Sequence, residues 1–363
     1  MNHAPAQTGS QSEIKDLLVV RLGSMGDVIH TLPAVGALRA AFPNARIGWI
    51  IEERWAELLC TLPEPRVGAR SPRRPLVDRV HTVDTKKWRK SLFSPQTWER
   101  FAAAMSELRA PAYQFAVDFQ GAVRSALFAK FSGAPVIYGA RQPRENVATM
   151  WYTQQIITSG THVVDQNLSL AAAVAGQPGA PGIELPTDEF AESQTEKWLH
   201  EKSVNKFAIL NPGAGWGAKQ WPADRYGQVA KKLAIRGFKP LINFGPGEEQ
   251  LAQAVENASA GAAEPVFLSL TKLISLLRHA SLFIGGDTGP LHLAAALNVP
   301  VVAIFGPTDP ARNGPYGTRA IVWRSPRSIT SHKRRTDPDL GLLEITVENV
   351  VTAATRLLEG DNG

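Results

Sequence analysis

Leu282-Phe-Ile-Gly-Gly-Asp-Thr-Gly-Pro-Leu-His292 carries an apolar run into two glycines, then into an Asp-Thr pair and a proline that opens a helix. Strand, tight turn and helix in that order make half of a βαβ unit, whose crossover leaves successive strands parallel. The same grammar extends in both directions. Apolar runs bounded by turn residues predict further strands at Phe207–Leu210, Leu241–Phe244, Val266–Leu268, Val301–Phe305 and Ile321–Trp323. Helices are predicted between them at Ala223–Arg236, Glu248–Ala258, Thr271–His279 and Leu291–Leu297. A last helix, Val347–Leu358, follows from the stripe Val347, Val350, Val351, Ala354, Leu357 and Leu358.

Upstream the alternation occurs a second time. Strands are expected at Leu17–Leu22, Arg46–Ile51, Arg79–Val83, Phe115–Asp118 and Val136–Tyr138, with helices at Pro33–Ala41, Pro95–Arg109, Val123–Phe131 and His162–Ala175. Between the halves, Gly176-Gln-Pro-Gly-Ala-Pro-Gly182 admits no regular element, and Pro186 follows closely. The 363 residues suit two cores of roughly 100–200 residues each. The expected fold is α/β, two doubly wound Rossmann-like domains whose parallel sheets face a central cleft. The expected bounds are a disordered tail over 1–13, one domain over 14–180, a second over 181–345, and a terminal helix and tail over 346–363.

A 44% hydrophobic, 20% charged chain is that of a folded globular protein, and its one cysteine, Cys60, excludes an internal disulfide framework and a cysteine-built metal site. Neither a signal-peptide pattern nor a run of about 18 apolar residues occurs, so a cytoplasmic location is expected. The net charge is +6 but uneven: nine cations fall between Arg66 and Lys90, against only Asp78 and Asp84. Such a field attracts polyanions, whether nucleic acid, an anionic membrane or a phosphorylated substrate; otherwise the segment is a solvated loop.

In open parallel sheets ligands sit beyond the carboxyl ends of strands, and four turns there carry unusual residues. Gly285 and Gly286 lead to Asp287 and Thr288 at a helix mouth, where free amides and the helix dipole favour an anion; His292 lies one turn in. The same residues also suit a plain N-cap with a core histidine behind it. Asn211-Pro-Gly-Ala-Gly-Trp-Gly-Ala-Lys219-Gln-Trp-Pro222 is glycine-rich but lacks the Gly-Lys-Ser/Thr of a P-loop, which leaves one ammonium near the same strand ends. Asn243-Phe-Gly-Pro-Gly-Glu248 places a carboxylate where acidic residues accept bonds from ribose hydroxyls, although helix N-termini also favour Glu. The fourth turn, Gly23-Ser-Met-Gly-Asp27, lacks the three-glycine dinucleotide fingerprint. Asp27 there reads either as a helix cap or as a general base facing the other domain.

Taken together, Gly23-Ser-Met-Gly-Asp-Val-Ile-His-Thr-Leu-Pro33, Asp118-Phe-Gln-Gly121, Lys219-Gln-Trp-Pro222 and Gly286-Asp-Thr-Gly-Pro-Leu-His292 resemble the heptosyltransferases of bacterial lipopolysaccharide core assembly. These form glycosyltransferase family 9, of the two-domain GT-B architecture. The N-terminal motif is most similar to the branch that adds the first heptose to Kdo on lipid A. The resemblance implies an ADP-heptose donor held by the second domain and a Kdo-lipid A acceptor held by the first. It implies Asp27 as the base, with Ala214, Gly215, Lys219, Glu248, Leu268, Asp287, Thr288, Gly289 and His292 around the donor. Lys219, Thr288 and Gly289 would meet the diphosphate, Glu248 the ribose and Leu268 the adenine, while Ala214 and Gly215 offer only backbone donors. Gln120, Arg124, Lys86, Lys87, Arg89 and Lys90 are the acceptor candidates.

None of the four strand-end turns carries an Asp-x-Asp pair to hold a divalent ion on a diphosphate, so neither metal nor cofactor is expected. One base opposite the leaving group implies single displacement with inversion. Peripheral contact with the inner face of the inner membrane is expected, and nucleic acid is not, since no recognised nucleic-acid motif accompanies the basic segment. Two alternatives stay open: another nucleotide-sugar enzyme of this architecture, such as an epimerase, or a non-catalytic polyanion-binding protein.

Overall fold

The computed structural model describes residues 14–91, 93–179, 182–331, 333 and 335–359. The expected tail over 1–13, residues 180 and 181 at the expected boundary, and the last four residues lie outside them. Twelve strands are described: β1 (Asp16–Val20), β2 (Arg46–Glu52), β3 (Arg79–Val83), β4 (Phe115–Asp118), β5 (Val136–Ala140), β6 (Gln154–Ile156), β7 (Phe207–Asn211), β8 (Lys239–Phe244), β9 (Glu264–Phe267), β10 (Leu282–Gly286), β11 (Val301–Phe305) and β12 (Ala320–Arg324). They form two six-stranded parallel sheets, in the orders β3-β2-β1-β4-β5-β6 and β12-β11-β10-β7-β8-β9. In each, the winding reverses between the two central strands, β1 with β4 and β7 with β10. Val20 is level with Asp118 in the first pair and Asn211 with Gly285 in the second. Those carboxyl ends are where this architecture leaves a crevice.

Central strands are buried on both faces, so they read as unbroken apolar runs: β1, β7, β10 and β11 are buried at every position. The helix Val163–Ala175 packs on Leu32–Ala41 and ends at Gly176, whose φ of +73° is a left-handed cap suited to glycine. The terminal helix, Val347–Glu359, buries Val347, Val350, Val351, Ala354 and Leu357 against Ala223–Ile235 and the second sheet, the face its stripe predicts.

Several elements differ from the sequence reading. Asp27 does not follow a tight turn; it lies within a short helix, Met25–Ile29, that Ser24 opens. A helix, Thr85–Lys90, occupies part of the basic segment with no buried residue, its first turn capped by the Asp84 carboxylate. Strand β6 and the helix Glu189–Glu201 carry no apolar period. The latter docks on Leu270–Arg278 by polar bonds: the Ser275 hydroxyl meets Glu192 at 2.9 Å and Thr195 at 2.9 Å.

The two halves meet through the loops after β1 and β10. Helix Met25–Ile29 faces helix Gly289–Ala296, and Glu57 accepts bonds from Thr271 N at 3.0 Å and Oγ1 at 2.5 Å. His162 Nε2 is 3.1 Å from the Gly314 carbonyl, and Tyr316 Oη donates to Asp165 at 3.3 Å. At Gly26 the approach is so close that a Cβ would stand 2.6 Å from the His292 ring. Alanine in a helix interior is normally worth about 1 kcal/mol over glycine, but here the added methyl acts as a wedge. Gly26→Ala is expected to raise the radius of gyration in small-angle scattering with unchanged helix content; an unchanged radius would show that His292 yields instead.

Candidate functional site

Arg21 and Asp27 define the first half's side of the cleft. Arg21 leaves the end of β1 with its side chain only 7% exposed, and one guanidinium nitrogen lies 2.6 Å from Asp27 Oδ1 while another donates to the Phe119 carbonyl. Asp27 Oδ2 accepts from Ser24 N at 2.9 Å and Ser24 Oγ at 3.0 Å. Burial, the largest single influence, pushes the Asp27 carboxyl up; the Arg21 charge and the Ser24 bonds together outweigh it and hold the group below its ordinary 3.8. Asp27 is thus ionised at neutral pH, fixed in orientation and still 36% exposed to the cleft.

Across from it, Lys219 follows β7 and Asp287 follows β10. Lys219 Nζ is paired with Asp287 Oδ2 and stands 4.4 Å from the centre of the Trp216 ring. His292 Nε2 is 3.0 Å from Asp287 Oδ1. Burial is again the largest influence and raises the Asp287 carboxyl, but His292 and Lys219 outweigh it and hold it far below the ordinary range. Thr288 is the N-cap of Gly289–Ala296, with Pro290 in its first turn, so the free amides of that helix open beside this pair. The expected lone ammonium is therefore already half-neutralised by its own carboxylate.

The other donor candidates lie at neighbouring strand ends. Glu248 caps the helix Glu249–Ala258; its Oε2 accepts from Gly245 N at 2.8 Å, and its carboxylate packs against Gly213, joining the loops after β7 and β8. Ala214 is half-buried, Gly215 is open, and Leu268 is half-buried just past β9. Among the described residues no cluster of three or more His, Cys, Asp or Glu has metal-holding geometry.

Of the acceptor candidates, Gln120 accepts through Oε1 from Leu22 N at 2.8 Å, and Arg124 donates to Thr85 Oγ1 at 2.6 Å. Asp118 is buried and fully engaged, accepting from Gln120 N, Gly121 N, Ser125 Oγ and Tyr152 Oη, so its part of the motif shapes the loop. The cations of 66–90 do not act as one field. Arg74 is buried on the carbonyls of Pro65, Ala69 and Val77, Arg66 pairs with Glu53, and Arg70 and Arg73 lie within 4 Å of Asp78 and Asp188. Lys86, Lys87, Arg89 and Lys90 remain exposed, with Lys87 3.3 Å from Asp84.

Sequence reading missed Arg21, although a charge directly after the apolar run of β1 was a signal for it. It also missed the joining of His30 and His162 to His292. These imidazoles stack edge-on across the cleft, with His30 centred 4.3 Å from His292 and 5.3 Å from His162. Burial, then the two neighbouring rings, pushes His30 well below 6.5, so it is neutral at pH 7.

Removing one member of a buried ion pair costs about 3–5 kcal/mol, while replacing both is often nearly neutral. Asp287→Ala is therefore expected to destabilise strongly in urea melts at pH 7, and adding Lys219→Met to recover much of the loss. Because the folded Asp287 carboxyl titrates below its unfolded value, its contribution is present above about pH 3.8 and is lost as pH falls through the folded value. Additive costs for the two substitutions would contradict this coupling.

Among known proteins, a family model described as glycosyltransferase family 9 (heptosyltransferase) matches residues 101–342. Lipopolysaccharide heptosyltransferase 1 of Pseudomonas aeruginosa is 29% identical over 317 residues, covering 84% of this chain and 82% of that protein. Its Escherichia coli K12 counterpart is also 29% identical over 317 residues, covering 86% and 94%. The solved structure of E. coli heptosyltransferase WaaC with ADP-2-deoxy-2-fluoro heptose superposes with a TM-score of 0.73 at 27% identity, covering 94% of this chain and 99% of that one. Two parallel sheets, a cleft between their carboxyl ends and a match over most of the second half agree: the chain belongs to glycosyltransferase family 9, the heptosyltransferases, and is a glycosyltransferase of GT-B architecture.

Proposed function

We propose that this enzyme moves a heptose from ADP-heptose to Kdo of the lipopolysaccharide inner core, with inversion at the anomeric carbon and without a metal. The observation that carries this reading is a fixed, ionised carboxylate, Asp27, across the cleft from a cation and a helix N-terminus, Lys219 and Thr288. That polarity suits a reaction that gathers negative charge on a departing diphosphate and releases a proton at the opposite face. The matched relatives named for this activity, and the neighbour solved with an ADP-heptose analogue, support the choice of donor.

In this mechanism residues 181–345 hold the donor. Lys219, Thr288 and Gly289 meet the diphosphate, Glu248 the ribose, Leu268 the adenine, and Ala214 and Gly215 lend backbone N–H groups, while Asp287 and His292 complete the pocket. Residues 14–180 present the acceptor through Gln120, Arg124, Lys86, Lys87, Arg89 and Lys90 to a lipid-borne substrate at the inner face of the inner membrane. The acceptor oxygen attacks the anomeric carbon as the bond to ADP breaks, and its proton passes to Asp27. A carboxylate held below 3.8 is too weak a base to ionise a free alcohol. Transfer is therefore late, after the forming bond has made the oxygen acidic. Arg21 fixes the carboxylate for that moment.

Asp27→Ala is expected to keep ADP affinity in calorimetry and to lower single-turnover rates by about 10²–10⁴-fold. Lys219→Ala is expected to weaken ADP itself. An Asp27→Ala variant that turns over at the parent rate per folded molecule would reduce Asp27 to a helix-capping group.

A further inference from the structure

We propose that Phe93 and Trp98, framed by Lys86, Lys87, Arg89 and Lys90, form a docking surface for an anionic lipid bilayer. Phe93 is fully exposed, at 101%, and Trp98 is 58% exposed. The four cations are likewise exposed and precede them on the helix Thr85–Lys90, which buries nothing. Within residues 84–99 the carboxylates are Asp84, engaged with Lys87, and Glu99, and the Glu52 carboxylate meets Thr85 and Arg124.

A large apolar side chain in water is unremarkable alone, but two aromatics within a few residues of four solvent-facing ammonium and guanidinium groups match the two layers of a membrane surface. Cations meet the anionic headgroups, and Trp and Phe rings enter the boundary beneath them. The rings are also held at the surface. Trp98 stands edge-on to Phe101 at 6.0 Å, and Phe101 to the half-buried Trp88 at 5.5 Å, so a packed aromatic base supports the exposed tip. No helix among the described residues is long and apolar enough to cross a membrane, so attachment by this route would be peripheral.

The position follows from the fold. Helix Thr85–Lys90 continues from the carboxyl end of β3, the edge strand, on the same side of the sheet as Asp27. Arg124 and Glu52 tie its first residue to that side, with Thr85 Oγ1 2.6 Å from Arg124. A bilayer engaged here would lie beside the mouth of the cleft, where a lipid-borne acceptor must enter. This purpose rests on the proposed acceptor; the docking does not.

The test uses the full chain and vesicles that contain no glycolipid. The protein is expected to cosediment with equimolar phosphatidylglycerol–phosphatidylcholine vesicles at low salt and much less with phosphatidylcholine alone. Phe93→Ser/Trp98→Ser should bind at least about tenfold more weakly at every salt concentration while remaining folded by circular dichroism, and Phe93→Trp should retain binding. A dye on Phe93→Cys should shift to the blue on anionic vesicles; the one native thiol, Cys60, is buried. Parent-like binding by the double serine variant, or failure of the parent to bind anionic vesicles, would overturn the proposal. If the parent fails to bind vesicles yet transfers heptose to a lipid-free Kdo acceptor, docking falls and the proposed reaction stands.

Discussion

One carboxylate, Asp287, holds the second half of the cleft together. Its two oxygens are divided between Lys219, carried by the loop after β7, and His292, one turn inside the helix that begins at Gly289. Without it a buried ammonium would face the positive end of a helix dipole with nothing to offset either, so the pair sets where a cation can stand beside free amides. The ammonium is held in place; in the proposed reaction an incoming diphosphate would share it.

The opposite wall repeats the device with the signs exchanged. There a buried cation, Arg21, positions a half-buried carboxylate, Asp27, and Ser24 takes the other oxygen. The two devices are linked mechanically, because Gly26, next to Asp27, lies against the ring of His292. A displacement of one half would be felt at both charged pairs. Closing such a cleft excludes water and strengthens each electrostatic term within it.

Much of this was legible in the chain. Parallel strands, the helix mouth at Thr288, and Asp27, Lys219, Asp287 and His292 stand in compact motifs, and βα alternation is a strong period. What escaped has physical reasons. Glu189–Glu201 docks through Ser275 and Thr195 hydroxyls, which leave no apolar period; Thr85–Lys90 buries nothing; Met25–Ile29 is a single capped turn. Arg21 pairs with Asp27 across a turn, and His162 meets His30 only because two distant segments fold together. The basic segment misled in a different way, since summing charges by position counted Arg74, which is buried on three carbonyls, with lysines that face solvent.

In the proposed reaction, a single displacement, Asp27 receives the proton and Lys219 with the helix N-terminus stabilises the departing ADP. The most direct measurement is the anomeric configuration of the product, read by NMR after reaction of ADP-heptose with a Kdo acceptor in EDTA. A metal-free single displacement gives a new bond inverted relative to the donor, formed at the same rate with and without chelator. Retention of configuration, or activity lost in EDTA and restored by magnesium, would contradict it.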